Sequence, residues 1–205
     1  MDSFAVLAQA LGVVYAAGIN VPATVAVLGV AQRQGWIDHL PAGLDVVGNP
    51  WIIGIASALY AVEFLITLVP GFASVWETVQ TLVRPPAAAV MAAGTVYSLD
   101  PVLVLPAVLL GGGFAATTHG TKLGLRYAVD ASPEPVTNAI ANVAELTTIA
   151  SIALLVWNHP YLTLAIAVTL LVLLILLVRR IVRTLRRLLS GEWYRAGAAQ
   201  STRGE

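Results

Sequence analysis

Two glutamates, Glu63 and Glu145, stand inside long apolar stretches of this chain, each with polar company at helical spacing. Asn138, Asn142 and Glu145 fall at i, i+4 and i+7, and Tyr60, Glu63 and Thr67 at i, i+3 and i+7. Each set is one narrow stripe on a helix. A charged group at the centre of a bilayer costs at least ~2.5–3.5 kcal/mol. Such a carboxyl must face protein or water, or hold a proton. That is the chemistry of a proton- or cation-coupled site shared by two acids. The competing reading is that each carboxyl, neutral or paired, only bridges helices. Neither glutamate has a basic residue three or four positions away, so each is expected without a cationic partner on its own helix.

A second constellation lies where helices should break. Gly18-Ile19-Asn20-Val21-Pro22 interrupts an apolar run and offers Asn20 and Thr24. Residues 117–122 offer Thr117, Thr118, His119, Thr121 and Lys122. Proline removes a helix hydrogen bond and glycine loosens the turn. Non-helical backbone at membrane depth is tolerated only where protein buries it or it lines a cavity. Asn20, Thr24, Glu63, Thr117, His119, Asn138, Asn142 and Glu145 are therefore the expected pathway residues for an ion or small solute. His119 has no ligand partner at i+3 or i+4, so no metal is expected. HExxH, GxSxG, an aspartate-rich pair and clustered histidines are all absent, which argues against an enzyme and leaves no catalytic residue or cofactor to assign. Gly111-Gly112-Gly113 lacks Walker spacing and serves close helix contact instead.

The elements that must hold these residues are apolar helices. The chain has 205 residues, 58% of them hydrophobic and 11% charged, against about 25% charged in soluble domains. Seven of the eleven Lys and Arg follow the uncharged run Tyr161–Val178. Arg179, Arg180, Arg183, Arg186 and Arg187 oppose Ile181, Val182, Leu185, Leu188 and Leu189 on a helix, a pattern that lies on anionic lipid head groups. A plain stop-transfer tail is the alternative. Cysteine is absent, so there are no disulfides. No basic face exists for nucleic acid.

The expected fold is an all-α integral membrane protein with six transmembrane segments. A first repeat, residues 1–98, has spans at about 4–33 (broken into half-helices 4–18 and 22–33), 50–69 and 85–98. Residues 73–83 form a short interfacial helix between its last two spans. A second repeat, 99–178, has spans at about 101–129 (broken), 135–157 and 161–178. An amphipathic basic helix, 179–190, and a disordered tail, 191–205, follow. Leu11-Gly12-Val13-Val14-Tyr15-Ala16-Ala17 matches Leu110-Gly111-Gly112-Gly113-Phe114-Ala115-Ala116, and Glu63 corresponds to Glu145. Three spans per half make the repeats inverted. The arginine tail then puts both termini in the cytoplasm. Arg84, Lys122 and Arg126 sit in cytoplasmic joints, and Asp38, Asp45 and Asp100 outside.

Three motifs together resemble a family of uncharacterised bacterial multipass membrane proteins, the domain of unknown function four-one-two-six. They are Gly18-Ile19-Asn20-Val21-x-Ala23-Thr24-Val25, Arg84-Pro85-Pro86 and Ser132-Pro133-Glu134-Pro135-x-x-Asn138. The resemblance spans about residues 5–160 and implies the inner (plasma) membrane but no substrate. Members often carry Asp-Lys before the proline matching Pro70 and an acid after the glutamate matching Glu145. Here Thr67-Leu68-Val69 and Leu146 stand there. The leading functional expectation is a small transporter or channel for an ion or small polar solute. A non-transporting accessory or assembly protein, or less readily an intramembrane enzyme on lipid-linked substrates, is the alternative. The sequence leaves a homo-oligomer open.

Overall fold

The computed structural model describes residues 3–69, 71–97, 101–130 and 135–189. Pro70, Asp100, the Ser132-Pro133-Glu134 motif and the tail from residue 190 lie outside the described residues. Among the described residues there are eight α-helices: α1 Ser3–Ile19, α2 Val21–Arg33, α3 Pro50–Thr67, α4 Phe72–Gln80, α5 Arg84–Val96, α6 Val104–Asp130, α7 Pro135–Asn158 and α8 Pro160–Leu189. Short 3-10 turns occupy Ala42–Gly48 and Pro101–Leu103. Proline stands in the first turn of α2, α3, α5, α7 and α8, where its missing N–H costs nothing and its fixed φ favours the helix.

Among the described residues two helices, Pro50–Thr67 and Pro135–Asn158, are long and apolar enough to cross a membrane. Their apolar side chains face outward: Trp51, Ile55, Leu59, Val62 and Leu65 of α3, and Val136, Ile140 and Val143 of α7, are all exposed. The buried faces of α1, α2, α5 and α6 are small. Ala8, Ala16, Ala17, Ala23, Ala88 and Ala115 are buried, which lets helix backbones approach closely. Gly18 shows how closely: a Cβ there would lie 2.9 Å from the Ala115 carbonyl oxygen.

The expected break near Pro22 is present, and it reverses the chain. Asn20 is extended (φ −161°, ψ 111°) between α1 and α2. Gly12 of α1 and Leu28 of α2 line one small void against Val156 of α7. In one straight helix they would lie about 24 Å apart. Ile149, one to two turns earlier on α7, packs with Ala16, Ile19 and Ala23 beside the apex. The two half-helices therefore form a V with Asn20 at its tip, and residues 4–33 are not one broken span.

The expected second break is absent. α6 runs unbroken through Thr117–Lys122. No proline occurs there, so every amide can donate along the helix. The Thr117, Thr118 and Thr121 hydroxyls turn back onto the carbonyls of Gly113, Phe114 and Thr117.

Helix directions also correct the inverted relation between the matched segments. Val14 packs at Gly111, and Gly18 at Ala115 and Thr118, so contacts advance together and α1 runs parallel to α6. α7 runs against α1, with Val156 at Gly12 and Ile149 at Ile19. α3 runs against α2, with Ile53 at Gly29 and Glu63 at Asn20. Since α2 reverses α1, α3 and α7 are antiparallel while α1 and α6 are parallel. No single two-fold axis maps both pairs.

The chain divides into two units, residues 1–167 and 168–205. The first holds all the polar clusters described below. In the second, the helix expected over 179–190 continues α8 without a joint as far as Leu189. Arg179, Arg180 and Arg183 are exposed on it.

Candidate functional site

The break at Asn20 is built by its own side chain. Asn20 Oδ1 accepts from the Ala23 amide at 2.9 Å and caps α2. Its Nδ2 donates to Glu63 Oε1 at 2.8 Å. Pro22 has no amide to give Gly18, and the Ala23 amide is taken by the cap, so the Ile19 carbonyl is freed from the helix ladder. Lys122 Nζ donates to it at 2.9 Å.

Lys122 is the hub of a buried ion-pair network. Its ammonium lies 2.8 Å from Glu77 Oε1, 2.7 Å from Glu145 Oε2 and 3.9 Å from Glu63 Oε1. Arg84 donates to Glu63 Oε1 at 2.5 Å and pairs with Glu77. Arg126 lies 2.9 Å from Glu145 Oε1. Three acids and three bases thus alternate through the core, and their formal charges cancel. Glu77 and Arg84 are fully buried. Burial pushes the Glu77 carboxyl up, but Lys122 and Arg84, by charge and by hydrogen bonds, hold it below the usual carboxylate range.

The α7 stripe is a cradle for Arg126, which donates to Asn138 Oδ1 at 3.3 Å and Asn142 Oδ1 at 2.6 Å. Asn142 Nδ2 donates in turn to Thr67 Oγ1 at 2.8 Å, joining the α7 and α3 stripes. His119 Nδ1 accepts from Arg84 at 3.1 Å. A guanidinium has no acceptor, so the other ring nitrogen carries the hydrogen and donates to Thr81 Oγ1 at 2.9 Å. His119 is therefore in its neutral form here.

α4 closes over this network along α6. Ser74 binds Asp130 through its amide at 3.0 Å and through its hydroxyl. Thr78 meets the Tyr127 hydroxyl at 2.9 Å, and Glu77 and Thr81 reach Lys122 and His119. The opposite face of α4 presents Phe72, Val75 and Val79, all exposed.

A protein-family model, the domain of unknown function DUF4126, matches residues 7–180. The chain belongs to the DUF4126 family. Comparison with curated proteins and with solved structures found no match.

In this DUF4126 chain, the fold gathers Asn20, Glu63, His119, Asn138, Asn142 and Glu145 into one network. Thr117 stays outside it, its hydroxyl bonded to Gly113 of its own helix. The Thr24 hydroxyl donates to the Asn20 carbonyl at 2.7 Å and supports the break rather than the charges. The expectation that each glutamate lacks a basic partner is corrected: the partners come from other helices. Arg84, Lys122 and Arg126 are buried, so they are not charges of loop joints. Sequence reasoning missed Glu77 and Thr81 and placed the three bases wrongly. A signal existed: Ser74, Glu77 and Thr81 at i, i+3, i+7, and His119, Lys122, Arg126 and Asp130 at i, i+3, i+7, i+11, are stripes of the same kind as those on α3 and α7.

Proposed function

We propose that this chain is a small multipass membrane transporter or channel for an ion or small polar solute, coupled to protons or cations through the network that joins Glu63 to Glu145. The observation that carries this reading is the network itself. Five charged groups, Glu63, Glu77, Arg84, Lys122 and Arg126, lie buried, and a sixth, Glu145, half-buried, between helices whose outward faces are apolar. In a lipid-facing protein, intramembrane ionisable groups that pair with one another mark ion and proton pathways. Glu63 Oε2 and Arg84 Nε are buried without a partner, an incomplete pairing that a purely structural network does not need.

In this reading α3, α6, α7 and α8 cross the bilayer, the chain recrosses through α5 together with the residues flanking it, and the α1–α2 V enters and returns. A re-entrant hairpin is allowed because protein covers its broken backbone. α4 lies at the cytoplasmic interface, and the basic end of α8 meets anionic head groups of the inner membrane. The uncharged run Tyr161–Val178 is read as crossing the bilayer, with the arginines that follow it held on the cytoplasmic side. Counting back, the start of α1 and the loop near Asp38 lie outside. Six spans with both termini inside are thereby replaced.

The test is reconstitution into liposomes with a panel of proton- and cation-sensitive dyes. Flux that depends on pH and is lost in Glu145→Gln supports the reading. A folded wild-type protein silent across the panel overturns it. The near-complete pairing of the charges favours a second reading, an accessory membrane protein whose network fixes only the fold. Glu145→Gln would then lower stability with no flux to lose.

A further inference from the structure

We propose that the oxygens around Lys122 Nζ form a monovalent-cation site, which the lysine ammonium fills from within the chain and from which an alkali or primary ammonium ion displaces it. The inference rests on the transport reading only for what happens to the ion afterwards. Binding stands or falls separately.

Lys122 is the chain's single lysine. Its ammonium has three N–H donors, and three oxygens from three different helices lie within 2.9 Å: Ile19 O, Glu77 Oε1 and Glu145 Oε2. The carbonyl is available only because Asn20 and Pro22 break the helix. Freed backbone carbonyls at broken helices, joined by carboxylates, are a recurrent way to hold small cations within membranes. Glu63 supplies the fourth side. Its Oε1 is 3.9 Å from Nζ, its Oε2 has no partner, and the residue is only 3% exposed. An oxygen so placed gains a ligand when the occupant of the site moves toward it.

Charge sets the class of ligand. With the ammonium withdrawn, Glu63, Glu77 and Glu145 face Arg84 and Arg126, leaving one formal negative charge. One monovalent cation restores neutrality. A divalent ion overcharges the site, and an anion adds to the excess.

The experiment uses the full chain in detergent. Lys122→Ala removes the tethered ammonium and leaves room for a free one. Its unfolding temperature is followed at fixed ionic strength in choline, sodium, potassium, ammonium, methylammonium, tetramethylammonium and magnesium chlorides. The expected result is a saturable rise of several degrees with methylammonium, ammonium or an alkali ion. None is expected with tetramethylammonium, which has no N–H and is too large, and magnesium should not exceed the alkali ions. A folded variant that responds to ionic strength alone overturns the proposal. If the variant does not fold, the wild type decides. Acylation of Lys122 by an amine-reactive reagent, read by mass spectrometry, should quicken severalfold when sodium, potassium or ammonium replaces choline. A rate indifferent to the cation overturns the site. Liposome flux could fail while these binding results hold, which would retire the transport reading alone.

Discussion

Lys122 and Ile19, 103 positions apart in the chain, are joined by a 2.9 Å hydrogen bond from an ammonium to a backbone carbonyl. The bond ties the helix break at Asn20 to the charge network, so neither is independent of the other. Lys122→Met should leave Glu77 and Glu145 short of a cation and the Ile19 carbonyl bare. Removing one partner of a buried pair costs about 3–5 kcal/mol. Thermal unfolding in detergent measures it. The double variant with Glu77→Gln should lose less than the sum of the two single losses, because each removes the other's partner. Additive losses would mean that the two side chains do not interact.

Asn20 is expected to act twice, as a cap and as a donor to Glu63. Asn20→Ala should cost roughly 1–2 kcal/mol for the cap and about 1–3 kcal/mol more for the buried carboxyl left short of a donor. Asn20→Ser should recover the cap share only. Equal stability of the serine and alanine variants would remove the capping role.

Two glycines make opposite predictions. A Cβ at Gly18 would sit 2.9 Å from both the Ala115 carbonyl oxygen and the Thr118 Cβ, while one at Gly54 meets nothing within 4 Å. Gly18→Ala should separate α1 from α6 and destabilise by about 1–3 kcal/mol. Gly54→Ala, in the interior of α3, should be neutral or stabilising by roughly 0.5–1 kcal/mol. Chemical denaturation of the two variants side by side checks the order.

The V of α1 and α2 makes a topological prediction on a chain without cysteine. Ser3→Cys and Asp38→Cys should both react with a membrane-impermeant maleimide from outside, and Arg195→Cys only after permeabilisation. Protection of Ser3→Cys with labelling of Asp38→Cys would restore a single crossing between them.

Much of the secondary structure was legible because it is local. The break at Asn20 follows from a proline that cannot donate and a side chain that can cap. The polar stripes on α3 and α7 follow from the helical repeat, and so does the amphipathic character of α4. The same locality misled at residues 117–121, where glycine and threonine lower helix propensity without removing a hydrogen bond, so packing against α1 and α5 keeps α6 whole.

The network was beyond sequence reach for a different reason. Glu63 finds Arg84 at a separation of 21 residues, Arg126 finds Glu145 at 19, and Lys122 finds Ile19 at 103. No helical period encodes such pairings. A buried arginine and a loop arginine look alike in a string of letters, so the letters alone give Arg84, Lys122 and Arg126 the character of orienting charges. Likewise the chain determines that the helix breaks at Asn20, but not the angle at which it resumes. That angle is set by α7 packing against both arms at once, with Val156 at their open end and Ile149 at the apex. The sequence by itself thus determined an all-helical chain, its break and its polar faces, because these are set by neighbours within a turn. Which faces meet, which way α2 runs and which base holds each acid were decided by tertiary packing, because burial forces every charge to find its partner wherever the fold brings one within reach.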